Sequence, residues 1–303
     1  MAAPTSYLVI EEVHLCMLNI LDDILAYLNE HDIPYVLSGG SALGAIRHRG
    51  FIPWDDDIDL AIPREGYNEF LKNYKPTNKD YSVISVYDSD NSDISYMRVV
   101  DEKTASSNRY LNINNGIFVD VFPIDHLPDS SFGQHMACYR MKYLDFLRNS
   151  TRRIEYKKAD GMVRNTMKRA FAFGLRNKKI GYYANKMNKL ALKTNEKNKD
   201  SHTVSLYVVQ GINKLRENNT VETYTTDRQK AMFEGREVYV PGEKYLVKIY
   251  GPDYMEIPRK HKTHGKFYII NDKDTGLSWR DALEQLNDQD EMEESNNEED
   301  NQA

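Results

Sequence analysis

The residues best suited to chemistry gather in one stretch, LSGGSALGAIRHRGFIPWDDDIDLAI, from Leu37 to Ile62. Asp57 and Asp59 stand two apart. The run from Trp54 to Ile62 reads as a strand, and side chains two apart on a strand share a face. The two carboxylates then point the same way, about 7 Å apart along the backbone, while Ile58, Leu60 and Ile62 point into a core. Carboxylates that close repel each other unless a cation sits between them or one holds a proton. Hard oxygen ligands on a rigid element suit Mg²⁺, which takes one or two carboxylates and then the phosphate oxygens of a substrate; Mn²⁺ accepts the same donors. With Asp55 the acids could also form a calcium loop, but the glycine at its sixth position and the glutamate at its twelfth are missing.

The same stretch offers a cradle for an anion. Tyr35, Val36 and Leu37 suit a strand, Gly39-Gly40-Ser41 break it, and residues 42–48 have helix-forming composition, with Leu43 and Ile46 as apolar anchors. A helix opening after such a turn presents unpaired N–H groups and a positive dipole end to phosphate. Arg47, His48 and Arg49 add donors. Gly50 and Pro53 mark a loop, and Trp54 beyond it is a further substrate-binding candidate.

A third acid comes later. In GIFVDVFPID, Gly116 to Asp125, Ile117, Val119 and Val121 lie on one face of a strand and Phe118, Asp120 and Phe122 on the other. An acid in so apolar a strand is costly to bury unpaired, and a metal or a cationic partner would remove the cost. Asp125, after Pro123, reads as lying past the strand, as a supporting contact or a helix cap.

The segment GGSALGAIRHRGFIPWDDDIDLAIPREGYNEF resembles the signature of the LicD family of phosphotransferases. That family, which fukutin and fukutin-related proteins resemble, belongs to the DNA polymerase beta-like nucleotidyltransferase superfamily. The superfamily pattern is a Gly-Ser turn, an Asp-x-Asp strand and a third acid on a later strand, and Asp120 matches the third acid. The stretch FEGREVYVPGEKYLVKIYGPDYMEIPRKHKTH, from Phe233 to His264, looks like the family's C-terminal element, in which a Phe-Glu-Gly strand precedes a Tyr-Gly-Asp-Tyr-Met segment. Here Pro252 interrupts that segment, and Ile257-Pro258 stands for a proline pair. The resemblance implies Mg²⁺-dependent transfer of a phospho-alcohol from a CDP-activated donor such as CDP-choline to a hydroxyl of a cell-surface glycan, lipopolysaccharide or teichoic acid, with release of CMP. Asp57, Asp59 and Asp120 would be catalytic and hold the metal; Gly39, Gly40, Ser41, Arg47, His48 and Trp54 would bind substrate. The alternatives are a true nucleotidyltransferase that releases pyrophosphate and a non-catalytic glycan- or membrane-binding protein on the same fold.

The elements that must position these residues are legible along the chain. The expected fold is α/β (α+β): a nucleotidyltransferase-type mixed sheet with packed helices, its core in residues 6–130 and 200–270, and a basic helical insertion at 132–200. Together they make one domain over residues 1–280. An amphipathic helix from Ser6 to Glu30 places Val13, Met17, Ile20, Leu21, Ile24 and Leu28 three and four apart. A short helix from Glu65 to Tyr74 follows the acidic strand. Strands are expected over Tyr81 to Tyr87, Tyr96 to Asp101, Ser201 to Gly211 and Glu237 to Val240, with a turn over Asn112 to Gly116 and a helix from Glu243 to Tyr250. Arg98 and Lys103 read as surface charges that could also face a phosphate.

Helices over His135 to Asn149, with Met136, Tyr139, Tyr143, Phe146 and Leu147 as its apolar positions, over Gly161 to Leu175 and over Lys178 to Lys193 are rich in Arg and Lys. Arg152, Arg153, Lys157 and Lys158 belong to this basic region. It reads as a solvated bundle, an anionic acceptor groove or a contact for an anionic membrane. No nucleic-acid motif accompanies the charge, which argues against nucleic acid as a partner. The net charge is −6, with −10 of it in the last 23 residues, so residues 1–280 carry +4. The acidic tail, 281–303, reads as disordered. Cys16 and Cys138 are the only cysteines, which excludes a disulfide framework and points to a reducing compartment. The start lacks a secretory signal pattern, and no eighteen-residue apolar run occurs. The expectation is a cytoplasmic protein, peripheral at the inner face of the membrane if the basic helices dock there. His261 and His264 lack a third ligand nearby for zinc.

Overall fold

A computed structural model describes residues 7–87, 92–106, 116–152, 162–175, 178, 181–209, 215–257 and 267–269. The turn at 112–115, Arg153, Lys157, Lys158, His261, His264 and the acidic tail lie outside the described residues.

Helix α1 (Ile10–Glu30) buries Val13, Met17, Ile20, Leu21, Ile24 and Leu28, the stripe its periodicity marks, against the sheet. The chain continues through β1 (Val36–Leu37), α2 (Gly39–Arg47), β2 (Asp59–Pro63), α3 (Arg64–Asn73), β3 (Tyr81–Ser85), β4 (Met97–Asp101), β5 (Thr104–Ser106) and β6 (Phe118–His126). The main sheet runs β1-β2-β6-β4-β3. Only β2 and β6 are parallel in that path, with Asp59 in register with Asp120 and Leu60 with Val121. In the antiparallel β4–β6 pair, Arg98 is in register with Asp120.

A helical layer follows, with α4 (Ser131–Arg152), α5 (Met162–Leu175) and α6 (Tyr182–Lys197). Leu127, Met141, Met187, Ala191 and Tyr207 form a small second core there, apart from the main one, and α6 packs on β6. The C-terminal part adds β7 (Thr203–Ser205), a 3₁₀ turn at Tyr207–Val209, β8 (Asn219–Thr220), α7 (Val221–Tyr224), the hairpin β9 (Gln229–Phe233) and β10 (Arg236–Val240), and α8 (Lys244–Tyr250). A last strand, β11 (Phe267–Ile269), pairs with β5. The α/β class and the mixed sheet are as the sequence implies. Among the described residues no helix is long and apolar enough to cross a membrane.

Four expectations change. The strand proposed from Trp54 begins only at Asp59: Pro53 and Trp54 turn, and residues 55–58 run alongside without ladder pairing. The alternation persists, with Asp55, Asp57 and Asp59 half-buried and Asp56, Ile58 and Leu60 buried. The helix expected after Gly39-Gly40-Ser41 instead begins at Gly39, so those residues are its first turn. Asp125 lies within β6 and is fully buried; its carboxylate accepts from Arg64 Nε at 2.6 Å and Nη2 at 2.7 Å. The strand expected over residues 201–211 shortens to β7 and hands over to the 3₁₀ turn.

Candidate active site

The site forms where the N-terminus of α2 meets the start of β2. Gly39 has φ +54°, a left-handed conformation that glycine adopts freely. A β-carbon there would lie 3.3 Å from Asp59 Oδ2, and one on Gly40 would lie 2.4 Å from Asp55 Oδ2. Two carboxylates therefore rest against the backbone of the first helical turn, where a helix favours negative charge. Ser41 Oγ accepts from the Asp59 N–H at 3.0 Å, and the Ser38 N–H donates to the Asp59 carbonyl at 2.9 Å, so α2 and β2 are tied at the acid itself.

Asp59 keeps a partial opening to solvent, yet its carboxyl is held well above the usual carboxylate range. Burial is the main cause, followed by the negative charges of Asp57, Asp120 and Asp55, with Arg98 opposing them. Asp57 thus stands electrostatically beside Asp59, as the spacing implies, although it lies in extended chain ahead of the strand.

Asp120 comes to Asp59 through the parallel register of β6. Its carboxylate is gripped by Arg98, Nε to Oδ1 at 2.6 Å and Nη2 to Oδ2 at 2.8 Å, with both side chains buried. Burial works against the charge on Arg98, but Asp120 outweighs it and raises the guanidinium above its ordinary range. The Arg98 guanidinium also stacks 3.5 Å from the Phe118 ring centroid. Arg98 is thus a buried partner of the third acid and not a surface charge, whereas exposed Lys103 pairs with Asp80. Among the described residues no group of three or more His, Cys, Asp or Glu is already arranged to hold a metal; Asp120 is committed to Arg98.

The basic run is placed elsewhere. Arg47 ends α2, about 12 Å along the helix from Gly39. Its Nη1 donates to the carbonyls of Tyr254 and Glu256, both at 2.9 Å, and its Nε donates to His48 Nδ1 at 3.4 Å. Burial, then the charge of Arg47, holds the His48 ring below its ordinary range. Trp54 packs half-buried at the edge of the main core. The glycine turn, Ser41 and the acids thus come together, while Arg47, beside His48, anchors the C-terminal segment.

Several supporting residues escape the sequence reading. The Gly39 N–H donates to the Tyr245 hydroxyl at 2.9 Å across 206 residues of chain. Of Phe-Glu-Gly, expected in a strand, Phe233 closes β9 and Glu234-Gly235 form the β9–β10 turn, both at positive φ; Glu234 Oε1 accepts from the Phe51 N–H at 3.1 Å. The ring of His14 stacks on Phe51 with centroids 3.7 Å apart, and its Nε2 lies 2.7 Å from the Asp55 carbonyl. The Tyr250 hydroxyl is pushed up by burial and then by the charges of Asp55 and Asp59. The approach of Tyr245 could not be read locally, since nothing in a seven-residue helix specifies a partner two hundred residues away.

Carboxylates on neighbouring parallel strands meet a helix that opens on Gly-Gly-Ser, the arrangement that the sequence resemblance implies. Residues 32–151 match the family described as LicD/FKTN/FKRP, nucleotidyltransferase domain. A lipopolysaccharide cholinephosphotransferase LicD of Haemophilus influenzae is 43% identical over 82 residues, 27% of this chain and 31% of that protein. An uncharacterized protein of Rickettsia typhi is 33% identical over 72 residues, 23% of each chain. A second, from Rickettsia prowazekii, is 39% identical over 51 residues, 17% of this chain and 19% of its own. The chain therefore spans about a third or less of the length of the relatives it matches.

Proposed function

We propose that the chain transfers a phospho-alcohol, phosphocholine or a similar group, from a CDP-activated donor to a hydroxyl of a cell-surface glycan and releases CMP. The observation that carries this reading is the clustering of Asp55, Asp57, Asp59 and Asp120 at the open end of α2. That cluster lies in the stretch that matches the LicD/FKTN/FKRP family, and the Haemophilus relative bears the name of a cholinephosphotransferase.

The donor set fits a divalent cation. Asp59 carries a proton-favouring environment, first through burial and then through the negative charges of Asp57, Asp120 and Asp55, and hard carboxylate oxygens are what Mg²⁺ takes. Asp57 and Asp59 would hold it, and when bound it would offset charge on the donor diphosphate and on the departing CMP. Arg98 takes one lone pair from each Asp120 oxygen and leaves others. Through those lone pairs Asp120 can accept the proton of the attacking hydroxyl or complete the metal site. The N–H groups of Gly40 and Ser41 face phosphate at the helix opening, while that of Gly39 is already given to Tyr245. Catalysis is then positioning and charge neutralisation, as phosphoryl transfer requires.

The test is incubation of the protein with a panel of CDP-alcohols and a glycan acceptor, with and without Mg²⁺. CMP release that needs both acceptor and metal is the expected result. Pyrophosphate release from a nucleoside triphosphate would assign the true nucleotidyltransferase reaction instead.

A further inference from the structure

Helix α4 carries two apolar faces. One, with Ala137, Cys138 and Met141, is buried against the helical layer. The other, with Phe132, Met136, Tyr139, Tyr143 and Phe146, lies on the opposite side and is exposed: Phe132 is 76% accessible, Tyr139 66% and Tyr143 64%. Its spacing of four, three, four and three makes one continuous stripe along the helix. The neighbouring α5 adds exposed Val163, Met167 and Phe173. A stripe this long of large apolar side chains is far more than scattered surface residues produce.

The flanks decide what covers it. Arg140 borders the stripe on one side and His135 and Lys142 on the other, by their angular positions on the helix. These are the positions that would face each other if a second copy of α4 docked along the stripe, and none of them is acidic. Parallel or antiparallel, such a dimer would set basic groups against basic groups. Tyrosine and phenylalanine between cations instead match an amphipathic helix lying at a lipid headgroup boundary. We infer that the outer face of α4 docks on an anionic phospholipid bilayer, with its aromatic stripe in the headgroup layer and Arg140 and Lys142 against lipid phosphates.

This inference stands apart from the catalytic reading, and its test needs no activity. The 303-residue chain is sedimented with vesicles of phosphatidylglycerol and phosphatidylcholine, and with phosphatidylcholine alone, over a range of salt. Binding is expected to the anionic vesicles and to weaken as salt rises. The double change Tyr139→Ser and Tyr143→Ser should lower partitioning about tenfold or more. Arg140→Glu with Lys142→Glu should do so as well and remove most of the salt dependence. These side chains are exposed or half-exposed, so melting temperature should hold, and it is measured for each variant. Failure to bind anionic vesicles at low salt would overturn the inference, as would equal binding to neutral vesicles. A dimer in sedimentation velocity that the tyrosine changes dissolve would overturn it in favour of a second copy.

Discussion

At the scale of single residues, the acids and their one buried cation set the behaviour of the site. Asp59 has a folded-state pKa above its unfolded value, so the folded chain holds a proton there that the unfolded chain has lost. Through this group the apo protein is most stable at acid pH and loses stability as pH rises through the folded pKa. Asp59→Asn should therefore raise the melting temperature in chelator at neutral pH and flatten its pH dependence. Added Mg²⁺ should stabilise the parent protein and not the variant, and transfer should fall at least about a hundredfold. A melting temperature lowered by the substitution would contradict the crowding of negative charge. Arg98→Met makes the opposite case. It would leave Asp120 buried without a counter-charge, at a cost of about 3–5 kcal/mol, readable in urea unfolding. The acidic spacing is legible in the sequence because alternation along an extended chain is a local property. Arg98 is not, because its pairing with Asp120 depends on which strands become neighbours.

At the scale of elements, α2 and the loop after it act as one unit, and the packing is tight enough to reverse a familiar rule. Glycine to alanine inside a helix ordinarily stabilises by roughly 0.5–1 kcal/mol. Gly44 lies inside α2, but a β-carbon there would sit 2.4 Å from the Gly50 carbonyl oxygen. Gly44→Ala should instead cost about 1–3 kcal/mol, because backbone must move, and should lower transfer by displacing the loop that carries Asp55 and Asp57. A thermal melt with the activity assay checks both. Helix α4 shows where periodicity stops informing. Met136, Tyr139, Tyr143 and Phe146 are apolar positions at helical spacing, as are Ala137, Cys138 and Met141, and only the folded arrangement shows which set is covered.

At the scale of the whole molecule, the stretch that carries the glycine turn and the acids is held by residues from the C-terminal part of the chain. Tyr245 accepts from Gly39, Glu234 holds Phe51, and Arg47 holds the carbonyls at Tyr254 and Glu256. Tyr245→Phe should leave a part-buried N–H unpaired, at about 1 kcal/mol, and weaken donor binding more than it slows turnover, which steady-state kinetics on the CDP-alcohol would show. A fragment ending at Arg152 keeps all the residues matched to the family, yet it lacks each of these partners; circular dichroism should find it without a cooperative melt.

The clamp of Arg47 on Tyr254 and Glu256 also bears on how the protein is made. Chain leaves the ribosome from the N-terminus at about 5–20 residues per second. The acids at Asp57 and Asp59 emerge early, but the segment that fixes their loop is among the last described residues to appear. Contacts across some two hundred residues also form slowly. Between those moments the acidic loop exists as chemistry without geometry, and a message cut short before the codon for Tyr254 would yield a chain that holds the acids and lacks this clamp on their loop.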